Sequence, residues 1–124
     1  GTRAAVSNDA FLGKIAAMSE KARVTATVCT GSAVLARTGL LDSRPATSNK
    51  LAWDWVLEQG PQVDWKRQAR WVDDGDIVTS SGVSAGIDMT LDLIARLHGE
   101  ETATNSAKFM EYIWNRVSTN DPFS

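Results

Sequence analysis

The chain has 124 residues, of which 43% are hydrophobic and 23% charged, and its formal net charge is -2. That is the composition of one globular domain or part of one, and its weak charge gives no electrostatic case for binding nucleic acid or an anionic membrane. No run of about 18 apolar residues marks a membrane helix, and a single cysteine without a signal-peptide pattern points to a reducing, cytoplasmic compartment.

The chain opens Gly1-Thr2-Arg3 without a methionine and enters a helical pattern at once, which reads as an internal start. Asn8 is an N-cap candidate with Asp9 in the first turn. Phe11, Ile15, Met18 and Ala22 then share one helical face, with Leu12 beside them. The β-branched run Val24 to Val28 has the composition of a buried strand. It meets Cys29-Thr30-Gly31-Ser32, after which Ala33 to Ala36 read as a helix stopped at Gly39. Strand, sharp turn and helix with a thiol at the turn is the layout of a nucleophile elbow. Gly31 is expected to let the helix approach the strand, and the helix dipole favours a thiolate. The Thr30 N–H is then free to face an oxyanion. The alternative reading of Cys29 is a small buried hydrophobe at a strand end.

Leu40 to Pro45 is rich in chain breakers. Ala46 to Ser48 reads as a short strand, Leu51 to Leu57 as a helix closed by Gly60-Pro61, and Val63 to Trp65 as a brief strand. Arg70 to Thr79 reads as a β-hairpin turning at Asp74-Gly75. A helix with little polar face is expected from about Ser84 to Leu97, with Ser84 as N-cap, Asp88 as a structural carboxylate near its start and His98 capping its last carbonyls. A final helix is expected from about Glu100 to Val117. The five tryptophans read as core or subunit interface. Alternating strands and helices predict an α/β layered fold with a largely parallel sheet, and the elbow at a strand's carboxyl end places a ligand site there.

Three blocks carry a resemblance. Val28 to Asp42 resembles the nucleophile elbow of the ThiJ/PfpI superfamily, Arg44 to Lys50 its next segment, and Thr79 to Met89 a further signature. Glu111 to Trp114 and Asp121-Pro122-Phe123 are similar to the C-terminal end of fungal-type members, and the blocks together look most like the isonitrile-hydratase subgroup. The resemblance implies the class I glutamine amidotransferase-like fold, a flavodoxin-like three-layer sandwich. Residues 1–124 are then the C-terminal portion of one domain, its first half being a separate polypeptide released by cleavage before Gly1.

The resemblance makes Cys29 the nucleophile and Thr30 the residue whose N–H and hydroxyl serve the oxyanion site. Asn49 falls where many members carry histidine, so a Cys-His-acid triad cannot be built around it; an amide can orient a substrate but is no general base. The acid partner lies in the first half of the family domain. The implied activity is cysteine-dependent hydration of an isonitrile, with a small-molecule substrate, no cofactor or metal, and a homodimer of the complete domain. The alternatives are glyoxalase or deglycase chemistry on 2-oxoaldehydes, and a non-enzymatic redox-sensing or chaperone-like dimer. In all of these the elbow strand is expected to be an inner strand, so residues 1–124 alone would leave one edge unpaired.

Overall fold

Asn8 does cap a helix: its Oδ1 accepts from the Phe11 N–H at 3.1 Å. In the computed structural model, which describes residues 1–124, a short helix α1 (Thr2–Ala5) precedes α2 (Asp9–Lys21). Strand β1 (Thr25–Thr27) follows, then α3 (Gly31–Arg37), β2 (Pro45–Ala46), α4 (Trp53–Gln59) and β3 (Asp64–Trp65). Strands β4 (Trp71–Asp73) and β5 (Ile77–Ser80) lead into α5 (Val83–His98) and α6 (Glu100–Phe109). No helix is long and apolar enough to cross a membrane.

The main sheet has the order β1-β5-β4, and β2 pairs with β3 in a small parallel sheet. β1 runs parallel to β5, with Thr25, Ala26 and Thr27 opposite Ile77, Val78 and Thr79. β4 and β5 form the expected hairpin, antiparallel with Trp71 opposite Ser80. Its turn needs Gly75, which sits at φ +85°, a region open to glycine at little cost. The main sheet is therefore mixed, because the hairpin reverses its last strand.

Strand alternation sorts the core into two faces. Ile77 packs with Leu35, Ala36, Leu41, Ala46 and Val63 on the α3 side. Its neighbour Val78 packs with Trp71 and Met89 on the α5 side. Helices thus cover both faces of the sheet, giving the α/β/α layering of a partial flavodoxin-like fold.

Several expectations shift in the structure. The strand buried at every residue is β5, whereas Ala26 of β1 is exposed; β1 has β5 on one edge and no strand of this chain on the other, the unpaired edge expected of residues 1–124 alone. In α2 only Leu12 is buried, while Phe11 and Met18 are 40% and 68% exposed, because nothing in the chain covers that apolar face. Gly82 flanks the start of α5, so Ser84 lies inside the first turn and is not the cap. The last turn of α5 is closed by the Gly99 N–H on the Ala95 carbonyl at 2.9 Å, and the His98 imidazole takes no part. Gly31 is not a close-approach position: a Cβ there would meet Thr27 Cβ at an ordinary 3.6 Å.

α6 stops well short of Val117 at a left-handed turn. The Tyr112 N–H bonds to the Ala107 carbonyl and the Glu111 N–H to Lys108, with Glu111 at φ 54°. This is a Schellman closure with glutamate in the position glycine usually takes. The cause lies in α5. Asp88 is fully buried and accepts from the Tyr112 hydroxyl and the Asn115 N–H, each at 2.9 Å, drawing the tail back over the fold. Asp88 is thus the structural carboxylate expected, held also by Arg70 at 2.8 Å.

Candidate active site

β1 delivers the chain to Val28 and Cys29, and α3 starts two residues later at Gly31. Turning that sharply puts Cys29 at φ 59°. A left-handed backbone costs a non-glycine residue about 1–3 kcal/mol, so it persists only where its surroundings impose it. Here they do. The Cys29 N–H donates to the Ser81 carbonyl at 2.8 Å. The Cys29 carbonyl accepts from Ser48 Oγ at 2.9 Å and from Ser32 Oγ at 3.3 Å. All three serines are buried, and Cys29 itself is half-buried. The expected strand-to-helix elbow is present, with Cys29 at its turn.

The Thr30 N–H has no acceptor within the chain. The Thr30 hydroxyl lies 3.0 Å from the Thr2 hydroxyl, which ties the start of the chain to the elbow. Asn49 follows Ser48, so it sits one residue from a group that grips Cys29. Its Oδ1 accepts from the Ala52 N–H at 2.9 Å as α4 approaches. Its Nδ2 is 3.9 Å from the Cβ position of Gly82, next to Ser81. The amide is therefore anchored by its oxygen while its nitrogen faces the loop that holds Cys29. A cleft of about 300 Å³ opens beside Asn49, lined by Lys50, Ser81, Ser84, Asp121 and Phe123 among others, and Cys29 is not among its lining residues.

Behind the elbow is a set of charges that the sequence reading does not include. The side chains of Lys50 and Asp121 are 3% and 1% exposed and lie 3.3 Å apart. Lys50 Nζ also donates to Thr47 Oγ1 and to the carbonyls of Ser48 and Ala69, at 2.9–3.0 Å, and lies 3.2 Å from Ser81 Oγ. The Ser81 hydroxyl donates to Asp121. Burial pushes the Lys50 ammonium below its ordinary value, against the opposing pull of Asp121. Burial alone would raise Asp121, but hydrogen bonds from Ser81, the Phe123 N–H and Lys50 outweigh it and hold the carboxyl low. The signal in the sequence is faint: a lysine closes the otherwise compact run Ala46 to Lys50, and its partner lies at the far end of the chain.

Known proteins resemble this chain in sequence and fold. The model of the DJ-1/PfpI family matches residues 2–96. The isonitrile hydratase of Pseudomonas putida is 37% identical over 100 residues, which are 79% of this chain and 42% of the relative. The HTH-type transcriptional regulator CdhR of Pseudomonas aeruginosa is 40% identical over 88 residues, 71% of this chain and 25% of the regulator. The chain thus spans less than half the length of these two relatives. Among solved structures, a ThiJ/PfpI family protein from Pseudomonas syringae superposes with a TM-score of 0.80 at 32% identity, over 93% of this chain and 46% of that one. Drosophila melanogaster DJ-1beta shares the fold, with a TM-score of 0.73 at 19% identity over 90% of this chain and 59% of that one. With a family match across most of its length and the elbow cysteine folded as the fold requires, the chain belongs to the DJ-1/PfpI family.

Proposed function

We propose that this chain carries the nucleophile half of a cysteine-dependent enzyme that adds water to an isonitrile. The observation that carries the reading is the left-handed Cys29 at the elbow, beside an N–H of Thr30 that no group of the chain engages. The similarity to an isonitrile hydratase supports this substrate class. In this mechanism the Cys29 thiolate attacks the terminal carbon of R–N≡C, and an acid protonates that carbon to give a thioimidate, R–N=CH–S–Cys. Water then adds to the same carbon, and the tetrahedral adduct expels the thiolate as the nitrogen takes a proton. The product is R–NH–CHO, and the balance needs only water. The Thr30 N–H steadies negative charge in the adduct, and Asn49 orients the substrate through Nδ2. No organic cofactor or metal enters the scheme.

The acid comes from the part of the family domain outside residues 1–124. The free edge of β1 supports this. An apolar groove of about 540 Å³ runs along that strand beside α2 and α3, and another of about 390 Å³ lies past its end at Val28, beside α5 and α6. A strand from the first half of the domain pairs with β1, its helices fill the grooves, and the complete domain is a cytoplasmic homodimer.

The similarity to CdhR favours a second reading, in which the elbow belongs to a non-enzymatic module. Glyoxalase or deglycase chemistry on 2-oxoaldehydes is the remaining alternative. The test is turnover by the natural full-length protein of an aryl isonitrile to its formamide and of methylglyoxal to lactate, with Cys29→Ser as control. Formamide release lost in Cys29→Ser is expected. Lactate formation would move the assignment to the 2-oxoaldehydes, and iodoacetamide labelling without turnover of either would support the non-enzymatic module.

A further inference from the structure

Ser48 and Ser81 grip Cys29 from its two sides, and the same two residues touch one buried ion pair. Lys50 Nζ donates to the Ser48 carbonyl at 2.9 Å and lies 3.2 Å from Ser81 Oγ. Asp121 accepts a hydrogen bond from the Ser81 hydroxyl and faces Lys50. The backbone of Ser81 is held separately, its N–H on the Arg70 carbonyl at 2.9 Å. Asp121 stands in an irregular tail, whose own path is pinned by its N–H on the Gln68 carbonyl at 2.7 Å. A lone buried ammonium is costly, so Lys50 keeps its place only while a carboxylate faces it.

We propose that Lys50 and Asp121 are positioning residues: through Ser48 and Ser81 they hold Cys29 in its left-handed conformation, which makes the C-terminal tail part of the nucleophile's mounting. The proposal rests on Cys29 being the reactive thiol only for its consequence in catalysis; the mounting itself is a statement about the backbone. A pair that merely stabilised the tail would give no reason for both of its ends to meet the residues that grip Cys29. Tyr112 offers the contrast. It ties the same tail to Asp88 and touches neither serine.

The experiment uses the natural full-length protein and three variants: Asp121→Asn, Ser81→Ala and Tyr112→Phe. Ser81→Ala keeps the carbonyl that bonds Cys29 and is the milder change, so it serves if Asp121→Asn unfolds. Two quantities are read, hydrogen exchange of the Cys29 amide and the rate of iodoacetamide labelling of its thiol. Losing a charge-assisted hydrogen bond implies exchange faster by roughly tenfold in the first two variants. Labelling is expected to shift by a similar factor, while Tyr112→Phe stays within about twofold of the parent. Unchanged Cys29 exchange in Ser81→Ala, or an equal change in Tyr112→Phe, overturns the proposal. A parent thiol that labels no faster than an unstructured peptide thiol removes the nucleophile reading instead, and the exchange data still decide the mounting.

Discussion

Gly86 in α5 packs directly on Val28, the residue before the elbow cysteine: a Cβ at position 86 would come within 2.6 Å of Val28 Cγ1 and 2.8 Å of Cγ2. Valine cannot swing those methyls away, because both branch at a Cβ that itself would lie 3.3 Å from the new atom. Gly86→Ala is therefore expected to push α5 off the strand end. Overpacking costs about 1–3 kcal/mol, which exceeds the return of about 1 kcal/mol from replacing a helical glycine. The variant should melt earlier. Val28→Ala makes room for the new methyl, so the double variant should recover most of the loss. A thermal-denaturation cycle over the four proteins reads the coupling directly, and simple additivity would show that the two residues do not press on each other.

Where a signal was local, the sequence carried it. Asn8 announced its helix, Asp74-Gly75 its turn, and Val24 to Gly39 the elbow, because each depends on neighbours within a few residues. The end of α6 was not legible, since its cause is Asp88 in another helix pulling on Tyr112 and Asn115. Periodicity found the apolar face of Phe11 and Met18 but not that this chain leaves it bare. At the site, Cys29 and Thr30 could be picked out by their place in the turn. Lys50 and Asp121 could not, because the bond between them exists only after the tail has folded back.

Asn49 has two separable jobs at its two ends. Its oxygen accepts from the Ala52 N–H just ahead of α4 and its nitrogen faces the elbow loop. Asn49→Ala removes both and is expected to cost about 1 kcal/mol as a lost hydrogen bond. Asn49→Asp keeps the acceptor and replaces the donor with an anion. It should hold its melting temperature near the parent's while formamide production falls by roughly tenfold or more. Full activity in Asn49→Asp would assign the residue to holding the Ala52 turn alone.

Acid should weaken the fold through Asp121. Burial opposes its charge, but the bonds from Ser81, the Phe123 N–H and Lys50 prevail and keep the folded value low. A carboxyl lowered on folding stabilises the protein fully above its unfolded value of about 3.9, and that contribution drains away as pH falls from there toward the folded value. Asp121→Asn is expected to cost about 3–5 kcal/mol at neutral pH, because it leaves Lys50 buried opposite a neutral group. Urea midpoints for parent and variant should converge below about pH 4. Lys50 has the opposite arm. Its value is lowered on folding, so the cost of burying it fades as pH climbs from the folded value toward the unfolded one of about 10.4. The variant should therefore regain part of its loss in alkaline urea titrations. A gap between the two proteins that stayed constant across the whole range would show that neither charge is linked to folding.

The uncovered edge of β1 makes a prediction about the chain in isolation. Thr25 to Thr27 bond to β5 on one side only. The two grooves leave Phe11 beside that edge and Val28 past its end about 40% exposed. An open strand edge with apolar flanks is a template for another strand. Residues 1–124 produced alone are expected to self-associate, with a sedimentation coefficient that rises with concentration. Adding the first half of the family domain as a separate polypeptide should suppress this by occupying the edge. Ala26 is exposed at the middle of β1, and Ala26→Lys places a charge where an incoming strand and its apolar cover would settle. It should keep the isolated chain dispersed and at the same time block capture of the first half. If the lysine variant still associates with the first half as the parent does, β1 is not the joint.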